Sequence, residues 1–260
     1  MNHFKRVWYS FLKYQDIMLG GLACKAMQVR GYSSQPIHPK HLFDENRIDF
    51  LRPFLKPGIR FLDVGCGVGT ECISSAKEGA ICACGVDYAL SNLTTSRERT
   101  LLEHVQSSFL QVDLEQGKLP FKSEVFDVIN FTNVLEHIHN RFHLLCEVRR
   151  VKTKKGVIIL SVPNSETTWK KKLTSVGLDP RDDDDHKIEY TMNYLDEELN
   201  QAGLHRISEF GPSIPSFPWN GLVAISAFLS PRLYMFLQRE KRDYVSKKPE
   251  ESIGWFVVVQ

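Results

Sequence analysis

The chain has 260 residues, which fits one large domain or one domain with appendages. Its 42% hydrophobic and 25% charged residues are typical of a soluble globular protein. The net charge of +2 lacks the strongly basic character of nucleic-acid-binding domains, so we expect no nucleic-acid partner. No apolar run approaches about 18 residues, so we expect no transmembrane helix.

The six cysteines show neither metal-ligand spacing nor the density of a disulfide framework. They are typical of small buried hydrophobic residues in a reducing compartment, and we therefore expect a cytoplasmic location.

The segment 1–30 is basic, with five Lys and Arg residues against a single acid, Asp16. Its apolar run, 17–24, is short and adjoins that acid, which argues against a secretory signal. A basic, acid-poor amphipathic start also resembles a mitochondrial transit peptide, so a mitochondrial location stays as the alternative. We prefer a helix that packs on the domain or makes peripheral contact with a membrane surface.

Strands and helices alternate after residue 40, which predicts an α/β fold with a parallel sheet. The strands are predicted at 59–64, 81–86, 109–112, 126–131, 156–162, 204–210 and 253–259. The helices are predicted at 44–55, after the first strand through 76, at 90–104, at 141–151 and at 194–201. Asn193 is the predicted N-cap of the last of these helices.

The segment 211–252 carries no strand signal between two strands that would pair antiparallel. Long insertions of this kind are usually lids or binding surfaces. Its apolar run 222–229 predicts a helix that Pro231 breaks or kinks. The runs Lys170–Lys172 and Asp182–Asp185 are interpreted as solvated. The predicted domain organisation is an extension at 1–40, a core at 41–212, an insertion at 213–252 and a final core strand at 253–260.

A cofactor site is indicated where the first strand runs into residues 61–70, FLDVGCGVGT. Glycines at alternate positions let the backbone approach a ligand where a Cβ would collide. The second strand ends at Asp87, 22 residues after Gly65, near the roughly 20-residue offset at which a carboxylate reaches ribose hydroxyls. The pattern predicts an adenosine-containing cofactor.

Charge selects among such cofactors. The nicotinamide fingerprint is G-x-G-x-x-G and places a pyrophosphate at a helix N-terminus. Here the spacing is G-x-G-x-G, and Asp63 stands two residues before the first glycine, where it would repel a pyrophosphate. S-adenosylmethionine (SAM) has an α-amino group, a sulfonium and no phosphate, so the residues favour SAM over NAD.

Five ordered segments resemble the class I SAM-dependent methyltransferases, including the group of ubiquinone-biosynthesis and other small-molecule methyltransferases. The segments are 62–69, 85–87, 111–114, 119–121 with 126–129, and 134–137. The resemblance implies a Rossmann-like fold. It has a seven-stranded, mostly parallel sheet with the last strand antiparallel and helices on both faces.

The resemblance also implies cofactor roles for individual residues. Gly65, Gly67 and Gly69 would line the methionine and ribose parts of SAM, with Asp63 near the amino group. The remaining implied contacts are Asp87 with the ribose hydroxyls, Tyr88 with adenine, Asp113 and the Leu114 N–H with the adenine edge, and Phe131 and Thr132 with the methionyl group. Asp113 could instead cap a helix, Tyr88 could be a surface aromatic, and Asp127 is interpreted as a structural residue.

The candidate catalytic residues are His137 and Glu136. A hydroxyl nucleophile benefits from a general base, and histidine titrates near neutral pH. Some ubiquinone-pathway O-methyltransferases that the segment resembles carry E-x-x-E-H there and hold a divalent metal. Asn133 stands at the first position here, so we expect no metal. The pair could instead anchor the following helix, and His186 belongs to a second polar group that borders the substrate pocket in related enzymes.

We therefore predict an enzyme that transfers a methyl group from SAM to a small-molecule acceptor. The expected acceptor atom is a hydroxyl oxygen of a quinone-type, lipid-linked or glycan intermediate. The alternatives are an NAD-dependent oxidoreductase and a SAM-binding scaffold without catalysis. The sequence leaves the oligomeric state open.

Overall fold

The chain divides into two compact units. The computed structural model describes residues 2–32, 38–43, 50–209, 215 and 218–260. The unit that we call the helical unit comprises 1–47, 164–182 and 211–254. The unit that we call the sheet unit comprises 48–163, 183–210 and 255–260.

A seven-stranded sheet has the order β3-β2-β1-β4-β5-β7-β6. Its strands are β1 (Arg60–Val64), β2 (Cys82–Asp87), β3 (Ser108–Gln111), β4 (Phe126–Thr132), β5 (Lys152–Pro163), β6 (Arg206–Glu209) and β7 (Gly254–Val259). Neighbouring strands from β3 to β5 pair in parallel, whereas β6 and β7 pair antiparallel. The predicted mostly parallel sheet with an antiparallel end is confirmed.

The helices of the described residues occupy both units. They are α1 (Asn2–Val29), α2 (Pro39–Phe43), α3 (Thr70–Lys77), α4 (Leu90–Leu102), α5 (Arg141–Val151), α6 (Thr168–Ser175), α7 (Met192–Gln201), α8 (Asn220–Leu229) and α9 (Pro231–Lys247). None of these helices is long and apolar enough to cross a bilayer.

Buried side chains lie on both faces of the sheet because successive residues of a strand point to opposite sides. Leu62 of β1 belongs to the larger of two apolar clusters, which also contains Leu144 of α5 and Leu195 of α7. We call it the larger core cluster. Phe61, the neighbour of Leu62, belongs to the second cluster, with Leu93 of α4. The sheet is therefore covered by helices on both faces, as the sequence predicts.

The helical unit has its own smaller core. Met27 of α1 packs with Ala227 and Tyr234, so α1 lies against α8. Gln15 donates a hydrogen bond to the carbonyl of Pro218 at 2.6 Å, and Asp16 accepts one from the backbone N–H of Gly221. The inward face of α1 is thus fixed by apolar and polar contacts together.

Two local expectations are wrong, and a third is confirmed with an addition. Thr191, not Asn193, caps α7, because the Thr191 side chain accepts a hydrogen bond from Tyr194 N. Pro231 does end the apolar helix, but it also begins α9, since proline suits the first turn of a helix. Lys170 is not solvated: its ammonium is buried and lies 2.6 Å from the carboxylate of Asp182.

The predicted helix 44–55 lies partly outside the described residues, which begin again at 50. The described part forms a turn and a short 3-10 helix, Arg52–Phe54, instead of an α-helix. Pro53 within it removes a backbone donor, which shortens the helical stretch. The last residue of the predicted strand 204–210 and part of 211–217 also lie outside the described residues.

The fold makes a prediction about α5. Leu144→Ala removes a fully buried side chain from the larger core cluster and should lower the free energy of unfolding by about 2–5 kcal/mol. Leu102→Ala at the end of α4 is the control, because Leu102 is exposed and its truncation should change stability by less than about 0.5 kcal/mol. Urea unfolding of both variants measures the difference. Equal effects would contradict the assignment of α5 to the core.

Candidate functional site

The candidate site begins where the strand order reverses. β1 lies between β2 and β4, and its register pairs Asp63 with Gly85 on one side and Asn130 on the other. In open α/β sheets, ligands bind beyond the carboxyl ends of the strands at such a reversal. Asp87 and Thr132 end the two neighbouring strands at the same edge.

The three glycines after β1 have different physical reasons to be glycine. All three have positive φ, at 75° for Gly65, 50° for Gly67 and 72° for Gly69. A Cβ on Gly65 would lie 2.3 Å from Val134 Cγ2, and one on Gly69 would lie 2.8 Å from the Phe109 ring. A Cβ on Gly67 would meet no heavy atom within 4 Å among the described residues. Gly67 is therefore the glycine whose surroundings leave room for a ligand.

Asp87, at the end of β2, orders the loop of residues 65–69. We call this segment the glycine loop. One carboxylate oxygen accepts a hydrogen bond from Gly67 N at 2.8 Å, and the other accepts one from Ala89 N at 2.8 Å. The oxygen that accepts from Ala89 N also accepts a longer hydrogen bond from Asn92 Nδ2 at 3.4 Å. The oxygen that accepts from Gly67 N has a second lone pair with which it can accept from a ligand. The 22-residue separation in sequence thus becomes a direct contact between the acid and the glycine loop.

Asp63 is buried beneath the loop, with 1% of its surface exposed. Its Oδ1 accepts a hydrogen bond from Asn130 Nδ2 at 2.7 Å, and the same amide also donates to Thr132 Oγ1 at 3.2 Å. Asn130 therefore joins the acid of β1 to the end of β4. Sequence reasoning missed Asn130, whose signal is only a polar residue among the apolar residues at the centre of the strand.

The residues expected near adenine follow β2 and β3. Tyr88 is 70% exposed, so its ring is available at the surface. Asp113 caps the 3-10 helix Leu114–Gln116, accepting from Glu115 N at 3.0 Å. This is the capping role that the sequence left open for Asp113. The side chain of Leu114 is buried in the larger core cluster.

The two residues expected near the methionyl group differ in exposure. The Phe131 side chain is fully buried in the larger core cluster, so it can face a ligand only through its backbone. Thr132 is partly exposed at the end of β4. Asp127 lies at the other end of that strand and pairs with Arg60 at 2.9 Å, which gives it the structural role expected from the sequence.

Glu136, His137 and His186 form one cluster after β4. The rings of His137 and His186 are 4.9 Å apart, and one donor atom from each of the three residues lies within 4.8 Å of the others. The backbone N–H of Lys187 donates to the carbonyl of Glu136 at 2.7 Å, which holds the 183–187 segment beside the 3-10 helix Leu135–His137. The fold thus brings together His137 and His186, which are 49 residues apart in the sequence.

Electrostatics differ among the three residues. Burial raises the pKa of Glu136 to about 7. Burial also lowers the pKa of His137, and the neighbouring His186 lowers it further. Burial opposes protonation of His186, but its hydrogen bond to Glu189 and the charge of Glu136 outweigh this and raise its pKa. His137 is therefore the neutral imidazole of the pair near pH 7.

The cluster has the donor set for a divalent cation. Glu136 is almost fully buried, and its Oε2 has no hydrogen-bond partner among the described residues. Two imidazoles and a carboxylate suit a borderline metal such as Zn²⁺. Asn133, which stands at the first position of the E-x-x-E-H pattern, accepts from Ser161 Oγ at 3.1 Å at a φ of 55°. His186 brings a donor that the sequence expectation of no metal did not include.

The family follows from a comparison with known proteins. A family model described as a methyltransferase domain matches residues 40–209. The chain belongs to the class I SAM-dependent methyltransferases. Membership favours the methyltransferase over the oxidoreductase alternative, and SAM is the cofactor of the family.

Relatives of this methyltransferase carry different names. A ribosomal protein L11 methyltransferase of Thermotoga neapolitana is 36% identical over 113 residues, or 43% of this chain and 40% of the relative. A ubiquinone biosynthesis O-methyltransferase of Maricaulis maris is 30% identical over 141 residues, or 48% and 53% of the two chains. The chain spans about half the length of the curated relatives it matches.

Solved structures show the same fold at low identity. The magnesium protoporphyrin IX methyltransferase of Synechocystis with bound S-adenosylhomocysteine has a TM-score of 0.55 at 16% identity, covering 82% of this chain and 78% of that one. The [4+2]-cyclase SpnF has a TM-score of 0.57 at 18% identity, covering 81% and 78%. These similarities establish the fold alone.

The residues present fit SAM. The space beside Gly67 admits a ligand close to the backbone, and Asp87 offers an acceptor to ribose hydroxyls at the same loop. No phosphate-binding feature is needed, since SAM carries none.

Asp87→Ala should weaken SAM binding by about 1–3 kcal/mol, because it removes an acceptor for the ribose and the anchor of Gly67. Calorimetric titration with SAM measures the change. Asp127→Ala is the control: it removes a carboxylate at the opposite end of the neighbouring β4 and should leave SAM affinity unchanged. Equal affinities of the Asp87 variant and the wild type would contradict the ribose assignment.

Glu136→Gln should stabilise the protein relative to wild type above about pH 7. The Glu136 carboxyl has a pKa of about 7 in the folded state against an ordinary value of 4.5. Between these values the unfolded chain loses its proton first, so this group lowers the free energy of unfolding as pH rises, by about 3 kcal/mol in all. Glutamine does not titrate.

Urea unfolding in a chelator at about pH 5 and about pH 8 measures this effect. The stability difference between Glu136→Gln and wild type should grow with pH. Glu98→Gln, at an exposed position of α4, is the control and should show no such growth. A constant difference for Glu136→Gln would mean that the carboxylate is not held in an unfavourable environment.

Proposed function

We propose that the protein transfers the methyl group of SAM to a hydroxyl oxygen of a small quinone-type acceptor. The observation that carries this proposal is the cluster of Glu136, His137 and His186 beyond β4, the strand whose end also carries Thr132. Support comes from relatives near 30% identity that are named ubiquinone biosynthesis O-methyltransferases. Lipid-linked and glycan hydroxyls are acceptors of the same chemical class.

His137 is the proposed general base. It is less buried than Glu136 or His186, and its lowered pKa keeps the imidazole neutral and able to accept a proton near pH 7. SAM supplies an electrophilic methyl group on a sulfonium. As the acceptor oxygen forms its bond to the methyl carbon, the bond from sulfur to that carbon breaks and the hydroxyl proton passes to His137. S-adenosylhomocysteine and the methyl ether are the products.

The protein's remaining contribution is alignment and exclusion of water, since the electrophile comes with SAM. His186 is held by Glu189 at 3.3 Å and lies against His137, so it fixes the orientation of the His137 ring. Glu136 is tied through its backbone carbonyl to Lys187 and keeps this segment beside β4.

A divalent cation is a second way to activate the same hydroxyl. Glu136, His137 and His186 would hold it, and the orphaned carboxylate oxygen of Glu136 favours this possibility. When bound, a cation would lower the pKa of a coordinated hydroxyl. His137 would then serve as a ligand instead of a base.

Two alternatives concern the activity itself. A scaffold that binds SAM without transfer remains open, and one neighbour of the same fold is named a [4+2]-cyclase. The second alternative is that the methyl group goes to a protein instead of a small molecule, because one relative is named a ribosomal protein L11 methyltransferase. Release of S-adenosylhomocysteine with phenolic and catecholic quinone precursors, and with ribosomal protein, separates these classes.

His137→Ala should lower kcat by about 10²- to 10⁴-fold on a phenolic acceptor while leaving SAM affinity unchanged. His139→Ala is the control, because His139 lies two residues away, is exposed and contacts Glu115 instead. The assay is S-adenosylhomocysteine release, with calorimetry for SAM. Full activity of the His137 variant would eliminate it as the base and as a metal ligand.

Metal removal distinguishes the two forms of activation. If His137 acts as a base, dialysis against a chelator should leave the rate unchanged. Loss of activity that added Zn²⁺ or Mg²⁺ restores, together with absence of restoration in Glu136→Gln, would assign the cluster to a cation.

A further inference from the structure

The outward face of α1 carries exposed apolar side chains from Phe4 to Val29, interrupted at the buried Gln15. Nine of its large apolar side chains are exposed, and at 100° per residue seven of the nine fall within a stripe about 100° wide. These seven are Phe4, Val7, Trp8, Phe11, Met18, Leu22 and Val29. We call this set the α1 stripe. The end residues of the stripe, Phe4 and Val29, are 78% and 83% exposed.

The α1 stripe is not the face by which the helix packs in its own unit. Leu12, Ala23 and Met27 are buried on the other side of α1, which lies against α8. Asp16 is held on that side by the backbone N–H of Gly221. Gln15 lies within the arc of the stripe, where it is buried and donates to the carbonyl of Pro218. The stripe therefore remains available to a partner after the helical unit has folded.

The neighbouring end of α8 continues the apolar surface. The Arg30 guanidinium lies 4.8 Å above the Phe228 ring, which connects the C-terminal end of α1 to α8. Leu229 follows as an exposed residue, and no residue of α8 is charged. An exposed apolar surface that runs over two elements marks an interaction site.

The charges around the stripe select the kind of partner. Segment 1–30 has five basic residues and one acid, although the whole chain has a net charge of only +2. Lys5, Arg6 and Lys25 are exposed, and Lys25 lies at the edge of the stripe. The single acid, Asp16, faces Gly221. A basic helix with Trp and Phe on its apolar face matches a membrane surface that contains anionic lipid.

We propose that the α1 stripe docks the protein on an anionic lipid bilayer, with α1 lying in the plane of the interface. The helix is not apolar enough to span the bilayer. Trp8 is suited to the headgroup region because its ring combines an apolar body with a polar N–H. A second copy of the chain is a poorer occupant, since two such faces would bring like charges together. The inference does not depend on the identity of the methyl acceptor.

Vesicle flotation with the full chain tests the proposal. Wild type should float with phosphatidylcholine vesicles that contain phosphatidylglycerol and should bind vesicles of phosphatidylcholine alone more weakly. High salt should lower binding to the anionic vesicles to the level of the neutral ones. The triple variant Phe4→Gln, Phe11→Gln, Met18→Gln should lower the partition coefficient about ten-fold or more. The matched control is Ile81→Gln, Leu101→Gln, Leu102→Gln, which replaces three apolar residues of the sheet unit that are at least as exposed on average as the stripe residues.

A charge variant tests the choice of lipid. Lys5→Gln, Arg6→Gln, Lys25→Gln should weaken binding to anionic vesicles about ten-fold or more while leaving the weak binding to neutral ones unchanged. Lys118→Gln, Lys122→Gln, Lys154→Gln, which are exposed in the sheet unit, should bind as wild type does. Circular dichroism and SAM titration establish that each variant is folded.

Three results would overturn the inference. The first is absence of wild-type binding to anionic vesicles. The second is an equal loss of binding in the stripe variant and its sheet-unit control. The third is a wild-type dimer, seen by light scattering without lipid, that the stripe variant converts to a monomer, because this would assign the stripe to a second copy of the chain.

Discussion

The pairing of β1 with β2 and β4 is the constraint on which the rest of the site depends. It places Asp63 between Gly85 and Asn130 and so aligns three strand ends at one edge of the sheet. The 2.7 Å hydrogen bond from Asn130 to Asp63 joins two of these strands in a buried setting, where hydrogen bonds are strong. A slip of one residue would turn the polar residues at this edge toward the opposite face.

The same edge concentrates groups that a core avoids elsewhere. Asn130 Oδ1 and Glu136 Oε2 are two of the few buried side-chain atoms of the described residues without a hydrogen-bond partner. Glu136 is almost fully buried, so its charge is poorly solvated and its pKa is raised. Unsatisfied buried polar groups cost stability, and they are expected at sites shaped for a ligand. Asn130 belongs to β4, and Glu136 belongs to the 3-10 helix that follows that strand.

Sequence patterns predict what is local. Apolar strands, the glycine spacing and the Asp87 offset are short-range signals, and the sheet and the cofactor edge follow from them. The contact of His186 with His137 is not local: it depends on the Lys187 hydrogen bond to Glu136 across the fold. The prediction that Lys170 is solvated is wrong for the same reason. A run of charged residues is predicted to be exposed unless a partner elsewhere in the sequence, here Asp182, is known.

The two units use apolar residues in opposite ways. In the sheet unit, Phe61 and Leu62 alternate inward to two cores, as strand geometry requires. In the helical unit, α1 turns Asp16 inward, where burial raises the pKa of that carboxyl, and leaves aromatic residues outside. In water the exposed aromatic surface contributes nothing to the stability of the helix, since only apolar area removed from water does so. The arrangement becomes favourable when the medium facing the helix is apolar. Average composition and a net charge near zero conceal such a surface because both are summed over a chain whose basic and apolar residues are segregated.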